Sequence, residues 1–490
     1  MKIEFAIPKS VSQVTDTLKK ANFKAFLVGG CVRDLVLGRA PKDWDITTDA
    51  KPEDIVSLFP KTFYENSFGT VTVVDEEEED VSLKNVEVTP FRKEIGYSDK
   101  RHPDTVEFGV SLEEDLARRD FTINALAYDP SVSAIFDLYE GIKDLKDSVV
   151  RTVGDASLRF NEDPLRLLRA IRFATQLGFT IEEKTERSIM DNAEQIKFIS
   201  NERIRDELLK IISSDEPMKG LGVMQKLGLL RYILPEMEGG VGMEQNGDHI
   251  YTVWEHIIRA IQHAADKKMS LEIRLAALFH DIGKIKTRAR DNEKGGWTFY
   301  GHEVVSERLA DKIMERWHLS NKVIDTVTKL VRNHMFFSDV DQITLSAVRR
   351  VIVKVGPDLI WDLMRLRNCD RIGMGRPKES PYRLRKYESM IDEALRAPTS
   401  VGMLKINGAE LMQVTGETPG PKVGHILNAL LEEALEDPSL NTKEYLDKRA
   451  LELSKLSEKE LILLSEKGKQ KKNEVEQKEL EAIRKKHFVK

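Results

Sequence analysis

Strand-like patterning in this chain stops at about residue 150, and that boundary limits the folds open to it. Before it, "KAFLVGG" (24–30) is a short apolar run ending in glycines, and "TVTVV" (70–74) and "VEVTPF" (86–91) cluster β-branched residues as strands do. "VSQVTDTLKKAN" (11–22) between the N-terminus and the first run is amphipathic. Beyond the boundary come helical patterns: "PLRLLRAIRFATQLG", "NERIRDELLKIISS", "GLGVMQKLGLLRYILPEM" and, after residue 400, "GAELMQVTGETPGPKVGHILNALLEEALED". With 490 residues the chain is too long for one core. The expected architecture is α+β: a mixed-sheet domain at 1–150, then all-α segments at 151–249, 250–396 and 397–490. "APTS" (397–400) reads as a linker, "DEEEED" (75–80) as a solvated hairpin loop, and the Lys/Glu-rich last forty residues as an exposed helix or partly disordered tail.

The formal net charge of −6 gives no global nucleic-acid signature, so a nucleic-acid surface must be a local patch. The two cysteines, Cys31 and Cys369, cannot build a disulfide framework and fit a reducing cytoplasm. The N-terminus lacks a signal-peptide core and no apolar run is long enough to span a membrane. A cytoplasmic location is expected.

The first chemical motif is "DWDI" at 43–46. On a strand, alternation puts Asp43 and Asp45 on one face and Trp44 and Ile46 on the other. Two carboxylates so close repel each other unless a cation lies between them. Magnesium, which takes oxygen ligands together with substrate phosphates, is the natural candidate. Just upstream, Gly29 and Gly30 end an apolar strand and "CVRDLVLG" reads as a helix. Its glycine turn, its N-terminus and Arg33 would together receive phosphates. Two solvated acids and a purely structural turn explain the same residues.

"GGCVRD" followed by "DWDI" resembles the head of the class II tRNA nucleotidyltransferase and bacterial poly(A) polymerase superfamily. "TPFRKEIGYSDKRHPDTVEF" (89–108), "EEDLARRDFTINALAYD" (113–129), "NEDPLRLLRAIRFATQLGF" (161–179) and "NERIRDELLKII" (201–212) are similar to further motifs of that family, in its order. The resemblance covers residues 20–235. It implies a polymerase-β-like palm at 1–150, followed by a nucleotide-selecting and RNA-binding neck, and attack of an RNA 3′-hydroxyl on the α-phosphate of CTP or ATP. Asp43 and Asp45 would hold Mg2+, with Glu87 as a third catalytic carboxylate. Gly29, Gly30, Arg33 and Arg119 would bind the nucleotide. Arg118 and Arg119, being adjacent, are expected on different faces; Asp120 either orients the turn with Asn124 or caps a helix. Asp163 and Arg166 would pair with the Watson–Crick edge, and Arg169 and Arg172 would lie nearer the base or phosphates. Read alone, those arginines at intervals of three make an ordinary amphipathic helix with a solvated basic face, and Asp163 is as suited to starting that helix.

The second half carries most of the histidines: His256, His280 followed by Asp281, His302, His334, and then Asp370. Imidazoles and carboxylates spread over several helices suit a divalent transition metal. The pattern resembles the HD superfamily of metal-dependent phosphohydrolases, with His256, His280, Asp281 and Asp370 as core ligands and His302 and His334 as ligands of two-metal members. Lys284 would contact a phosphate or finish its helix. Arg203, Arg205 and Lys422 are charge-based candidates for RNA contacts.

The expected function is a bacterial enzyme that builds or repairs the CCA end of tRNA from CTP and ATP, with the tRNA 3′ end as partner. CC-adding, A-adding and poly(A)-adding activities share these motifs. A reading of a different class makes the HD half the working phosphodiesterase or phosphatase and the head an RNA-binding module.

Overall fold

The structure is a computed structural model. It describes residues 3–65, 69–97, 100, 103–246, 249–292, 295–336, 344–395, 402, 404–436, 438–457, 459–464, 481 and 483–488. The expected linker at 397–400 and much of the Lys/Glu-rich tail lie outside the described residues. The chain forms two compact units, residues 1–334 with 365–377 and residues 335–364 with 378–490.

In the first unit the strand-like runs of the sequence become a seven-stranded sheet of order β3-β4-β5-β2-β1-β8-β9. The strands are β1 (Ala25–Val28), β2 (Trp44–Thr48), β3 (Thr62–Glu65), β4 (Thr70–Val74), β5 (Asn85–Pro90), β8 (Leu126–Asp129) and β9 (Ala134–Asp137), while β6 (Arg92–Ile95) and β7 (Thr105–Phe108) form a separate hairpin. All neighbours in the large sheet are antiparallel except β2 and β5. β1, "AFLV", is buried at every position, as a central strand covered on both faces should be. The acidic loop at 75–80, followed by the helical turn Val81–Lys84, joins the antiparallel β4 and β5.

The remainder of this unit is helical, apart from short two-residue strand pairs such as Ala289–Arg290 with Trp297–Thr298. Its helices include Gly30–Val36, Leu112–Ala117, Leu165–Leu177, Asn201–Ile212, Val253–Asp266, Leu271–Phe279, His302–Arg316 and Asn321–Asn333. Leu165, Leu168 and Ile171 form the buried side of the helix Leu165–Leu177. Its arginine side is not the solvated face the spacing suggests. Arg166 is buried, and Arg166, Arg169 and Arg172 pair with Glu162, Asp120 and Glu207 respectively. Three guanidinium groups under neighbouring elements require such partners, because an unpaired buried charge is costly.

The second unit packs Leu404, Leu411, Ile426, Leu430, Leu446, Leu453 and Leu461 into its own core. Lys422, an expected RNA contact, instead bonds Glu417 at 2.6 Å and the carbonyl of Ser454 at 2.8 Å. The described end of the tail is likewise not a free helix. His487 bonds Asp392 at 2.7 Å, and its ring stacks against Trp361 with centroids 6.2 Å apart.

Candidate active site and histidine–aspartate centre

Two cavities of the first unit gather most of the residues singled out in the first half of the chain, although Gly29 and Glu87 line neither. The larger, about 970 Å³, is lined by Gly30, Arg33, Asp43, Asp45, Arg172 and Phe173, among others. The smaller, about 320 Å³, is lined by Arg118, Arg119, Asp120, Asp163, Arg166 and Arg169 together with Arg92, Glu94, Tyr97 and Arg203. Phe173 links them: Arg172 lies 4.0 Å and Arg33 5.3 Å from its ring centroid, and Arg169 lies 5.4 Å from it.

Asp45 lies within β2 and Asp43 one residue before it, so only one of the pair is held by the ladder. Trp44 and Ile46 are buried, as alternation requires. Because β2 and β5 run parallel with Asp45 opposite Glu87, two carboxylates are placed side by side. Burial, then Glu87 and Asp43, push the Asp45 carboxyl up to about 6 against the opposing pull of Arg119. A cation beside these acids would relieve that repulsion. The ligand atoms of Asp43, Asp45 and Glu87 are not all within 4.8 Å of one another; the described groups that meet this limit are elsewhere. Oxygens from a substrate phosphate would complete the shell, in keeping with the few protein ligands magnesium takes.

Gly29 has φ +78° and ψ −131°, a conformation closed to side chains. A Cβ there would lie 3.1 Å from Arg119 Nη1 and 3.6 Å from Asp45 Oδ2. The bare backbone thus lets Arg119 reach the carboxylate strand. Arg33 donates from Nη1 to Asn124 at 2.8 Å, and Asn124 donates to Asp120 at 3.1 Å. Asp120 also accepts two bonds from Arg169, at 2.9 and 2.6 Å. Asp120 is therefore a tie between turn and helix rather than a helix cap.

Arg118 and Arg119 both line the smaller cavity and both reach Asp115, contrary to the expectation that adjacent residues must diverge. The helix ends at Ala117, so the helical-face rule does not apply to them. Asp163 ends the preceding helix and accepts from the backbone of Leu165 at 3.1 Å, while the N-cap of the helix Leu165–Leu177 is Pro164; both Asp163 oxygens are also gripped by Arg203. Arg203 thus lines the smaller cavity, paired with Asp163, and Arg205 bonds the carbonyls of Trp317 and His318. The sequence reading assigned no site role to Glu94, Tyr97, Phe173 or Glu207. Glu207 closes the "ERIRDE" segment four residues after Arg203, a spacing that shares a helix face and could have marked it.

The second constellation is tighter. Thr252 and Glu255 cap the helix Val253–Asp266, which carries His256. His280 and Asp281 follow the apolar helix Leu271–Phe279. Gly283 lets the helix His302–Arg316 approach: a Cβ on it would meet the His302 carbonyl at 2.3 Å. One ligand atom each from His256, His280, Asp281 and Asp370 lie within 4.8 Å of one another, and so do those of Asp281, His302 and His334. Asp281 faces both sets, with Oδ2 3.0 Å from His256 and Oδ1 3.2 Å from His302.

The imidazole geometry fits metal binding. The Nδ1 atoms of His280, His302 and His334 lie 2.9, 2.8 and 2.7 Å from the carbonyls of Ala277, Phe299 and Val331. Donation there leaves each Nε2 lone pair facing inward. Lys284 neither ends the apolar helix nor stands free, since its ammonium lies 2.6 Å from Asp281 Oδ2. His249, which sequence reading passed over, has its ring 5.1 Å from that of His256.

Family comparisons agree with this layout. Residues 25–151 match the Poly A polymerase head domain, 178–239 the probable RNA and SrmB-binding site of polymerase A, and 253–356 the HD domain. The CCA-adding enzyme of Lactiplantibacillus plantarum is 32% identical over 429 residues, covering 86% of this chain and 91% of that protein. The A-adding tRNA nucleotidyltransferase of Deinococcus radiodurans is 34% identical over 424 residues, 83% of this chain and 91% of that protein. Among solved structures, the Bacillus stearothermophilus CCA-adding enzyme in complex with CTP is 28% identical with TM-score 0.59, covering 91% of this chain and 98% of that one. Among the described residues no helix is long and apolar enough to cross a membrane. The acids Asp43 and Asp45 at the start of β2, the arginine helix beside them and near-full-length identity above 30% lead to one conclusion: this chain belongs to the family of bacterial tRNA nucleotidyltransferases that includes the CCA-adding enzymes.

Proposed function

We propose that the protein adds the 3′-terminal CCA of tRNA from CTP and ATP. The observation that carries this reading is the division of labour between the two cavities. One holds carboxylates suited to a metal-bound phosphate, and the other holds an Asp and arginines suited to a base edge. Asp43, Asp45 and Glu87 would hold Mg2+, which when bound activates the attacking hydroxyl and neutralises the reacting phosphate. Gly29, Gly30, Arg33, Arg119 and Arg172 would seat the triphosphate. Asp163 and Arg166 would read the base, with Arg169 tied to Asp120 beside them. The chain would divide into head 1–150, neck 151–249, HD region 250–396 and tail 397–490, and act in the cytoplasm.

In the HD region, His256, His280, Asp281, His302, His334 and Asp370 would hold divalent transition metal, with phosphohydrolase activity as a second function. Its donor set of imidazoles and carboxylates supports this.

A-addition is the second reading, because the A-adding relative is as similar as the CCA-adding ones. Product sizing separates the two. The protein with magnesium is given tRNA transcripts ending before CCA or after CC, with CTP or ATP alone and then both. Addition of C, C and A followed by a stop supports the proposal. A single A on the CC transcript alone selects A-addition, and long A tails refute both.

A further inference from the structure

We propose that Arg203 is a positioning residue for nucleotide selection, acting through Asp163. The inference rests on the base-reading role given to Asp163 above. Asp163 and Pro164 form the two-residue joint between the helices Ala156–Glu162 and Leu165–Leu177, with Asp163 in extended backbone at φ −140° and ψ 99°. Its own helix fixes only Oδ1, through the Leu165 amide at 3.1 Å. Arg203, from the helix Asn201–Ile212, supplies the rest: Nη1 donates to Oδ1 at 3.2 Å and Nη2 to Oδ2 at 2.7 Å. Such a two-pronged grip fixes the plane of a carboxylate as well as its place.

Arg166 does not share this task, since its guanidinium bonds Glu162 and the carbonyls of Arg159 and Arg118. The pair is also more than a surface bridge, because the side chains of Arg203 and Asp163 are only 23% and 15% exposed and line one cavity.

The chemistry explains why orientation matters. Cytosine and adenine present an amino donor where uracil and guanine present a carbonyl acceptor. Oδ2 of Asp163 keeps a lone pair beyond its bond to Arg203, so it accepts from the first two bases and repels the second two. This discrimination depends on where Oδ2 points. A carboxylate free to rotate would still carry charge into the cavity but would select less sharply. Arg203 therefore acts on the ratio between nucleotides more than on the rate of addition.

The test compares full-length wild type, Arg203→Gln, Arg203→Lys, Asp163→Ala and the Arg203→Gln/Asp163→Ala double variant. Incorporation of CTP, ATP and UTP into a tRNA transcript is measured, and the kcat/KM ratio of CTP to UTP is read. Arg203→Gln should lower that ratio on the order of tenfold. Arg203→Lys, with point-like donors, should recover part of it and serves if Arg203→Gln does not fold. The double variant should select no worse than Asp163→Ala, since Arg203 has no effect once its target is gone. An equal loss for CTP and UTP in Arg203→Gln would mark a structural or RNA-contact role and overturn the proposal. A changed ratio in Asp163→Ala with none in Arg203→Gln or Arg203→Lys overturns it alone. An unchanged ratio in Asp163→Ala removes the base-reading assignment and this inference with it.

Discussion

Replacing Asp120 by Asn should loosen the head–neck junction by an amount the structure allows us to estimate. Asp120 is 9% exposed and accepts from the Phe121 amide, the Asn124 side chain and Arg169. Burial alone would raise its pKa, but Arg169 and Asn124 more than offset this and hold it at about 2, against an ordinary 3.8. The gap favours the charged form by about 2 kcal/mol at 1.36 kcal/mol per unit. Asn mimics the protonated acid in shape, so the substitution should cost about that much at neutral pH. Hydrogen exchange of the peptide spanning 165–177, read under conditions where opening is limited by stability, should then run roughly thirtyfold faster. Adding Arg169→Met should recover part of the loss, because the costly species is a guanidinium left without its carboxylate.

The wild type should show the matching pH dependence. A depressed carboxyl contributes stability that is present above its unfolded value and lost as pH falls through its folded one. Protection of this helix should therefore weaken between about pH 4 and about pH 2 in wild type but not through this group in Asp120→Asn. Exchange in Asp120→Asn indistinguishable from wild type at neutral pH would refute the reasoning.

Three further outcomes are expected. Asp45→Asn should lower nucleotide incorporation on the order of a thousandfold while leaving tRNA binding, measured by filter retention, intact, since it removes only a carboxylate proposed to hold the metal. Gly29→Ala should destabilise the head by about 1–2 kcal/mol and displace Arg119, which thermal unfolding and nucleotide affinity would report together. The His280→Ala/Asp281→Ala variant should lose bound transition metal by elemental analysis yet keep nucleotide incorporation within about twofold, because the two sites share no residue.

The local parts of this molecule were legible in its sequence because their signals are local. Apolar runs ending in glycines gave β1 and the turn after it, and β-branched clusters gave β4 and β5. The order of histidines and aspartates in the second half pointed to a cluster that the helices do gather. Spacing failed wherever a partner came from far along the chain. The arginines of Leu165–Leu177 look like a wet face until Asp120 and Glu207 are brought against them. Arg203 and Lys422 look like free cations until Asp163 and Glu417 are found beside them. Charge in a sequence has no direction, and only the pairing of buried ions decides which cations remain for a ligand.

The sequence by itself determined the chemistry: which carboxylates, imidazoles and guanidinium groups exist, and which helix or strand carries each. The tertiary structure alone decided their company. It set Asp45 opposite Glu87 through one parallel strand pair, turned Arg118 and Arg119 onto a single carboxylate, and closed Arg203 on Asp163. The physical reason is that helical and strand periodicity are fixed by the backbone within a few residues. The pairing of charges forty or ninety positions apart is fixed instead by the cost of burying any of them alone.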